Sequence, residues 1–260
     1  MGFILPNIIC WVLLYSGVIS ANPLNNFLEA RDAFRQGNEK RLIEVSRKLN
    51  QHSLYPYLEY WIIRLRINEL KEKRLTAFFQ KYPHSFVSQK LHEDWLHALA
   101  RKKQWRKYIE NYKKLNKKPT DLKCLFFLAK SAFGELPASS EAKSIWYSSS
   151  SQPAVCTQLF KLQFKNKILK EQDIWKRFRL SLEAQNYKIA RAALSYLPKD
   201  RLPNGWILDR ISKNPKKYFN LEPKSYGDKE ILIFIIYRAA INSPLEASNK
   251  LSTIEHMLTK

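Results

Sequence analysis

The segment His92-Glu93-Asp94-Trp95-Leu96-His97 has the composition of a zinc-protease helix. The spacing defeats that chemistry. Such a helix needs its two histidines four residues apart, about 40° around the axis, whereas a spacing of five sets them about 140° apart. The segment reads instead as the polar face of a solvated helix. His52, His84 and His256 have no Cys or His at ligand spacing. No G-x-S-x-G, G-x-G-x-x-G or G-x-x-x-x-G-K sequence occurs, so neither a hydrolase elbow nor a phosphate-cradling loop is encoded. The carboxylates are scattered, often beside Lys or Arg as in Glu39-Lys40-Arg41, and nothing selects a glycosidase-type pair. The residues therefore indicate no catalytic group, no metal site and no cofactor.

Three other sets of residues remain. Trp61, Trp95, Trp105, Trp146 and Trp175 could stack on sugars, but each falls on an apolar helical stripe and is expected in a core role. Cys124 and Cys156 are expected to form a structural disulfide if the chain folds in an oxidising compartment; the alternative is two independent buried thiols. The basic runs Arg101–Lys103, Lys113–Lys118 and Lys213–Lys217 are each an ordinary solvated turn. Together they could align as a rim that binds a polyanion, with Lys113, Lys114, Lys117 and Lys118 as its candidate residues.

The elements that must position these residues repeat. Turns fall near Gly37, Leu70–Lys71, Lys102, Gly134 and Lys167, about 33 residues apart, and each is flanked by helix-length segments with an apolar stripe. That period marks stacked helical hairpins of the tetratricopeptide type. A lone hairpin cannot bury its apolar face, so such units stack into a solenoid. The fold class is therefore all-α, an α-superhelix of tetratricopeptide-like hairpins, which favours binding over chemistry. The clearest pair is Val87–Leu115, with the stripe Leu91, Trp95, Leu96, Leu99 followed by Trp105, Tyr108, Ile109, Tyr112, Leu115. A single helix is expected over Leu54–Leu70. Between residues 198 and 228 the hairpin pattern gives way to a Pro- and Lys-rich stretch that permits only short helices. Helical periodicity returns at Glu230–Ile241 and Leu245–Leu258. Ile231–Tyr237, apolar on every side, has the composition of a strand or of a buried helix, and the helical context favours the helix.

The 260 residues carry a net charge of +22, with 45% apolar and 13% aromatic residues and only six glycines. From Phe3 to Ile19 no residue is charged, and the stretch ends in small residues that suit cleavage after Ala21. Residues 1–21 are thus expected to be an export signal and 22–260 the helical domain; the alternative is an uncleaved membrane anchor. A cytosolic protein with this charge would suggest nucleic acid. For an exported chain the partners should be acidic polymers, anionic surfaces or acidic proteins, with no nucleic acid and no stable membrane span once the signal is removed.

Three stretches together resemble the N-terminal superhelical domain of soluble lytic murein transglycosylases. They are His52-Ser53-Leu54-Tyr55-Pro56-Tyr57-Leu58-Glu59-Tyr60-Trp61; Phe78-Phe79-Gln80-Lys81-Tyr82-Pro83 followed by Leu91, Trp95-Leu96, Leu99-Ala100, Trp105 and Tyr112; and Trp146, Pro153, Cys156, Leu159-Phe160, Trp175 and Arg177. The resemblance covers roughly residues 27–200. It implies a periplasmic protein that meets peptidoglycan. In the family, one glutamate of a C-terminal lysozyme-like domain cuts the glycan and sits in a Glu-Ser dipeptide, with Gly-Leu-Met-Gln downstream. Neither motif occurs here, so no catalytic residue carries over. The expectation is a non-catalytic superhelical module, inactive alone, that embraces murein. The alternative is a stand-alone periplasmic scaffold that binds another envelope protein.

Overall fold

The structure, a computed structural model, describes residues 22–203 and 207–258; the expected export segment lies outside them. Among the described residues all regular secondary structure is helical. The architecture is the all-α, hairpin-upon-hairpin solenoid class that the turn spacing predicts. The chain divides into two compact units, residues 1–95 and 96–260.

In the first unit, α1 (Pro23–Arg35) and α2 (Glu39–Arg47) form a hairpin, followed by α3 (Tyr55–Leu65) and α4 (Glu72–Lys81). Ala30, Ala33, Leu42, Val45, Leu49 and Leu58 make the first core cluster, and the Trp61 ring stacks on Phe34 at 5.5 Å. The single helix expected over Leu54–Leu70 ends early. After Leu65 the backbone tightens into three-residue turns, with Arg66 N–H donating to Ile63 O at 3.1 Å and Glu69 N–H to Arg66 O at 2.8 Å. A buried carboxylate ties α3 to α4. Glu59 accepts from Lys81 Nζ at 2.8 Å, Tyr82 Oη at 3.0 Å and Arg74 Nη2 at 3.1 Å. A buried charge needs such pairing, because taking it out of water unpaired costs several kcal/mol. On α5 (Phe86–Arg101), Asp94 accepts from Tyr60 Oη at 2.6 Å and Arg64 Nε at 3.1 Å.

In the second unit, α6 (Trp105–Lys113), α7 (Thr120–Ser131), α8 (Ser139–Trp146), α9 (Ala154–Lys165), α10 (Glu171–Glu183) and α11 (Tyr187–Leu194) succeed one another with short connections. Five hairpin turns of the chain share one device. Gly37, Lys103, Gly134, Lys167 and Gln185 all adopt positive φ just past a helix end. In each, the next residue's N–H reaches back to a carbonyl five positions upstream, as in Asn38 to Ala33, Gln104 to Leu99, Glu135 to Lys130, Ile168 to Gln163 and Asn186 to Ser181. This is the left-handed C-terminal cap that stops a helix and satisfies its last carbonyls. The expected turns at Gly37, Lys102, Gly134 and Lys167 lie at or beside these residues.

The Pro- and Lys-rich stretch contains α12 (Leu208–Lys213) and two 3-10 turns, Lys199–Arg201 and Pro215–Tyr218. It is pinned by Leu208 and Ile211, both fully buried, and by Pro203, whose ring packs on Gly227. Segment 231–237 is helical. It lies within α13 (Tyr226–Ala240), which pairs with α14 (Pro244–Leu258).

Candidate polyanion-binding face

Leu115 anchors the connection from α6 to α7 in the core, and this anchoring turns Lys113, Lys114, Lys117 and Lys118 outward, where all four are exposed. The Lys114 ammonium donates to Asn111 Oδ1 at 3.3 Å, and that of Lys118 lies 5.7 Å from the Tyr112 ring centroid. Beneath them Tyr108 is fully buried and donates from its hydroxyl to Leu122 O at 2.8 Å, which fixes α6 on the start of α7. Four ammonium groups over six residues, on a backbone held from below, make a local concentration of positive charge that a polyanion can contact. Screening beyond roughly 8 Å at physiological salt restricts such a patch to short-range binding.

The first turn of α7 continues into an open polar depression. Thr120, Lys123, Ser144, Ile145, Tyr147, Ser148, Ser149 and Gln152 line it, around a volume of about 450 Å³. Its walls are fixed. The Cys124–Cys156 disulfide joins α7 to α9, with Cα atoms 5.2 Å apart and both residues fully buried. The serine-rich loop after α8 is held by Arg177 Nε, which donates to Ser148 O at 3.2 Å, and by Asn186 Nδ2, which donates to Ser149 O at 3.0 Å. The Arg177 guanidinium lies 4.5 Å from the Trp146 ring centroid, and burial lowers its pKa from the ordinary arginine value.

The acid bonded to the lining residue Tyr147 is already engaged. Asp173 is buried and accepts from Lys170 N–H at 2.8 Å, from Lys143 Nζ at 3.3 Å and from the Tyr147 hydroxyl. Its backbone carbonyl accepts from the Trp146 indole at 2.7 Å. Burial, and next the Asp173 carboxylate, push the Tyr147 phenol up to about 12. The carboxylate is thus consumed as a structural hub. The depression offers hydroxyls, an amide and one ammonium, a donor-rich lining suited to binding a polar or anionic ligand.

The structure places the remaining expected residues as follows. His92 packs among rings, 5.2 Å from Phe79 and 5.9 Å from Trp95. His97 instead pairs with Asp121 across 3.0 Å. Among the described residues no three His, Cys, Asp or Glu side chains gather as a metal site. Trp95, Trp146 and Trp175 are buried; Trp61 and Trp105 are half-buried against neighbouring rings. Arg101, Lys102 and Lys103 flank an exposed turn, whereas Lys216 pairs with Glu246 at 2.8 Å. Sequence reasoning did not identify the depression. Its residues come from two helices, α7 and α8, and the loop after α8, and the only local signal was the serine-rich run Ser148–Pro153.

No protein-family model matches the chain. Curated relatives are soluble lytic murein transglycosylases. That of Escherichia coli K12 is 23% identical over 209 residues, which cover 78% of this chain and 32% of the relative. That of Salmonella typhimurium is 23% identical over 177 residues, covering 68% and 27%. Among solved structures, an inactive mutant of the lytic transglycosylase Slt from Pseudomonas aeruginosa matches with a TM-score of 0.66 at 25% identity, over 88% of this chain and 38% of that one. The 70-kDa enzyme Slt70 from Escherichia coli matches with a TM-score of 0.65 at 19% identity, over 92% and 39%. The chain spans about a third of the length of the curated relatives it matches. In sequence over most of its length and in helical fold, this chain is similar to part of the soluble lytic murein transglycosylases.

Proposed function

We propose that this chain is a periplasmic, non-catalytic helical module that binds murein and assists its turnover. The observation that carries the reading is the combined sequence and fold match to soluble lytic murein transglycosylases over most of this chain. The charge of +22 and the exposed lysines of the α6–α7 connection supply a means of holding a polymer whose peptide stems bear carboxylates. The neighbouring hydroxyl-lined depression adds hydrogen-bonding groups suited to a polar strand. Catalysis is not part of the proposal, because the sequence holds neither a Glu-Ser dipeptide nor Gly-Leu-Met-Gln.

Co-sedimentation with purified sacculi tests the reading. The protein should pellet with murein at moderate salt, and the quadruple charge reversal of Lys113, Lys114, Lys117 and Lys118 to Glu should reduce the pelleted fraction severalfold. Equal pelleting of the two proteins would remove the lysines from the account, and no pelleting of either would remove murein. Release of anhydro-muropeptides by the purified chain would overturn the non-catalytic assignment. Sequencing the N-terminus of the exported protein checks the expected cleavage after Ala21.

A further inference from the structure

A cavity of about 340 Å³ opens between the end of α9, the start of α10 and the residues that follow α11. Its floor is carbon. Leu169, Ile174 and Leu197 are buried there, and Phe164, Tyr196 and Pro198 complete it. The aromatic part is held in place: the Phe164 and Tyr196 rings lie 5.2 Å apart, and each meets the buried Trp146 ring edge-on at 5.0 Å. A recess of this size falls in the range of roughly 300–1,000 Å³ in which proteins hold small molecules.

The mouth carries local positive charge. Lys167 and Lys170 border the cavity from the α9–α10 turn, and both are exposed. Neither ammonium pairs with an acid among the described residues. The one carboxylate of the lining, Glu171, is occupied: Arg201 pairs with Oε2, and the Trp175 indole donates to Oε1 at 3.3 Å. The Tyr196 hydroxyl is engaged by Thr157. The side chains thus leave an apolar floor without a free neutral hydrogen-bonding group, and two free cations at its edge. Peptide amides buried on that floor would lack partners, which costs free energy, whereas hydrocarbon needs none.

We propose that this cavity binds an alkyl carboxylate of medium chain length. The hydrocarbon lies on the floor between Phe164, Leu169 and Tyr196, and the carboxylate is held by the Lys167 and Lys170 ammonium groups. The attraction comes from these two side chains and not from the charge of the chain as a whole. The site is separate from the lysines proposed to hold murein.

Isothermal titration calorimetry of the full chain at 0.15 M salt, below micelle formation, tests the proposal. Decanoate should bind saturably at one site. Affinity should rise about tenfold with each two-carbon step from hexanoate to decanoate, the increment that burial of methylenes supplies. Decyltrimethylammonium, with the opposite head charge, and trileucine, with a carboxylate on a peptide, should each bind at least tenfold more weakly than decanoate. Lys167→Asn combined with Lys170→Gln should weaken decanoate about tenfold with unchanged circular dichroism; asparagine tolerates the positive φ at 167. Lys213→Gln combined with Lys217→Gln removes the same charge at two exposed positions outside the lining and should leave binding unchanged. Absence of saturable decanoate binding, a series flat in chain length, equal or tighter binding of trileucine or of the cationic amphiphile, or equal losses in the two double variants would overturn the proposal. Sacculus pelleting should be the same for the cavity double variant and the parent, which keeps this outcome separate from the murein reading; a matching loss of pelleting would make Lys167 and Lys170 part of the murein surface and overturn the separate site.

Discussion

Replacing Cys124 and Cys156 together by alanine should remove a large share of the stability of residues 96–260. The cross-link closes a loop across a sequence separation of 32 residues between α7 and α9. The chain-entropy relation gives about 12 cal/mol/K for a loop of that size, or about 3.7 kcal/mol at 25 °C. Both sulfurs lie in a fully buried environment, so their removal adds a packing loss on the order of 1 kcal/mol. A total of about 4–5 kcal/mol compares with whole-domain stabilities of roughly 5–15 kcal/mol. With a urea dependence of about 2 kcal/mol/M, the midpoint should fall by about 2 M. Urea titrations followed by tryptophan fluorescence should show that fall for the double variant, and a similar one for the parent kept in dithiothreitol. The reasoning fails if the double variant unfolds within about 0.3 M of the oxidised parent, a difference small on this scale. That result would mean that the reduced chain is already restrained between α7 and α9 without the bond.

Other outcomes follow from local geometry. Lys103, Lys167 and Gln185 hold positive φ, so changing each to glycine should raise stability by up to about 1 kcal/mol in thermal melts, because relief of left-handed strain exceeds the added chain entropy. Gln163 is fully buried and neither polar atom of its amide has a partner; Gln163→Met should stabilise by about 1–2 kcal/mol. A Cβ on Gly227 would lie 2.9 Å from Pro203 Cβ, so Gly227→Ala should cost about 1–3 kcal/mol and loosen the Pro-rich stretch from α13, read as faster proteolysis near Pro203. Burial pushes the Tyr112 phenol up to about 12 from its ordinary 10.0. Between those values the unfolded chain ionises while the folded one keeps its proton, so stability intact below pH 10 should fall as pH rises toward 12. Tyr112→Phe should flatten part of that alkaline loss in pH-dependent urea titrations.

The sequence by itself determined what is local or periodic. The hairpin period follows from apolar residues recurring every three or four positions, and its breaks at Gly37, Gly134 and Lys167 lie within one helix end. The helical state of segment 231–237 followed from its surroundings. Local signals also overran: Leu54–Leu70 reads as one helix, yet α3 stops at Leu65 and tightens into three-residue turns. Only the tertiary structure decided which distant groups meet. Asp173 is one acidic residue among many in the chain, and it becomes a buried hub because α8 and α10 bring Lys143, Tyr147 and Trp146 to it. The polar depression combines residues from α7, α8 and the loop that follows, too far apart along the chain to leave a motif. Ile233, Tyr237 and Ile241 look like core in the sequence, since they have the same apolar character as their buried neighbours, yet all three are exposed. Side-chain chemistry sets the preference for burial, whereas the placement of the surrounding helices decides whether anything is there to provide it.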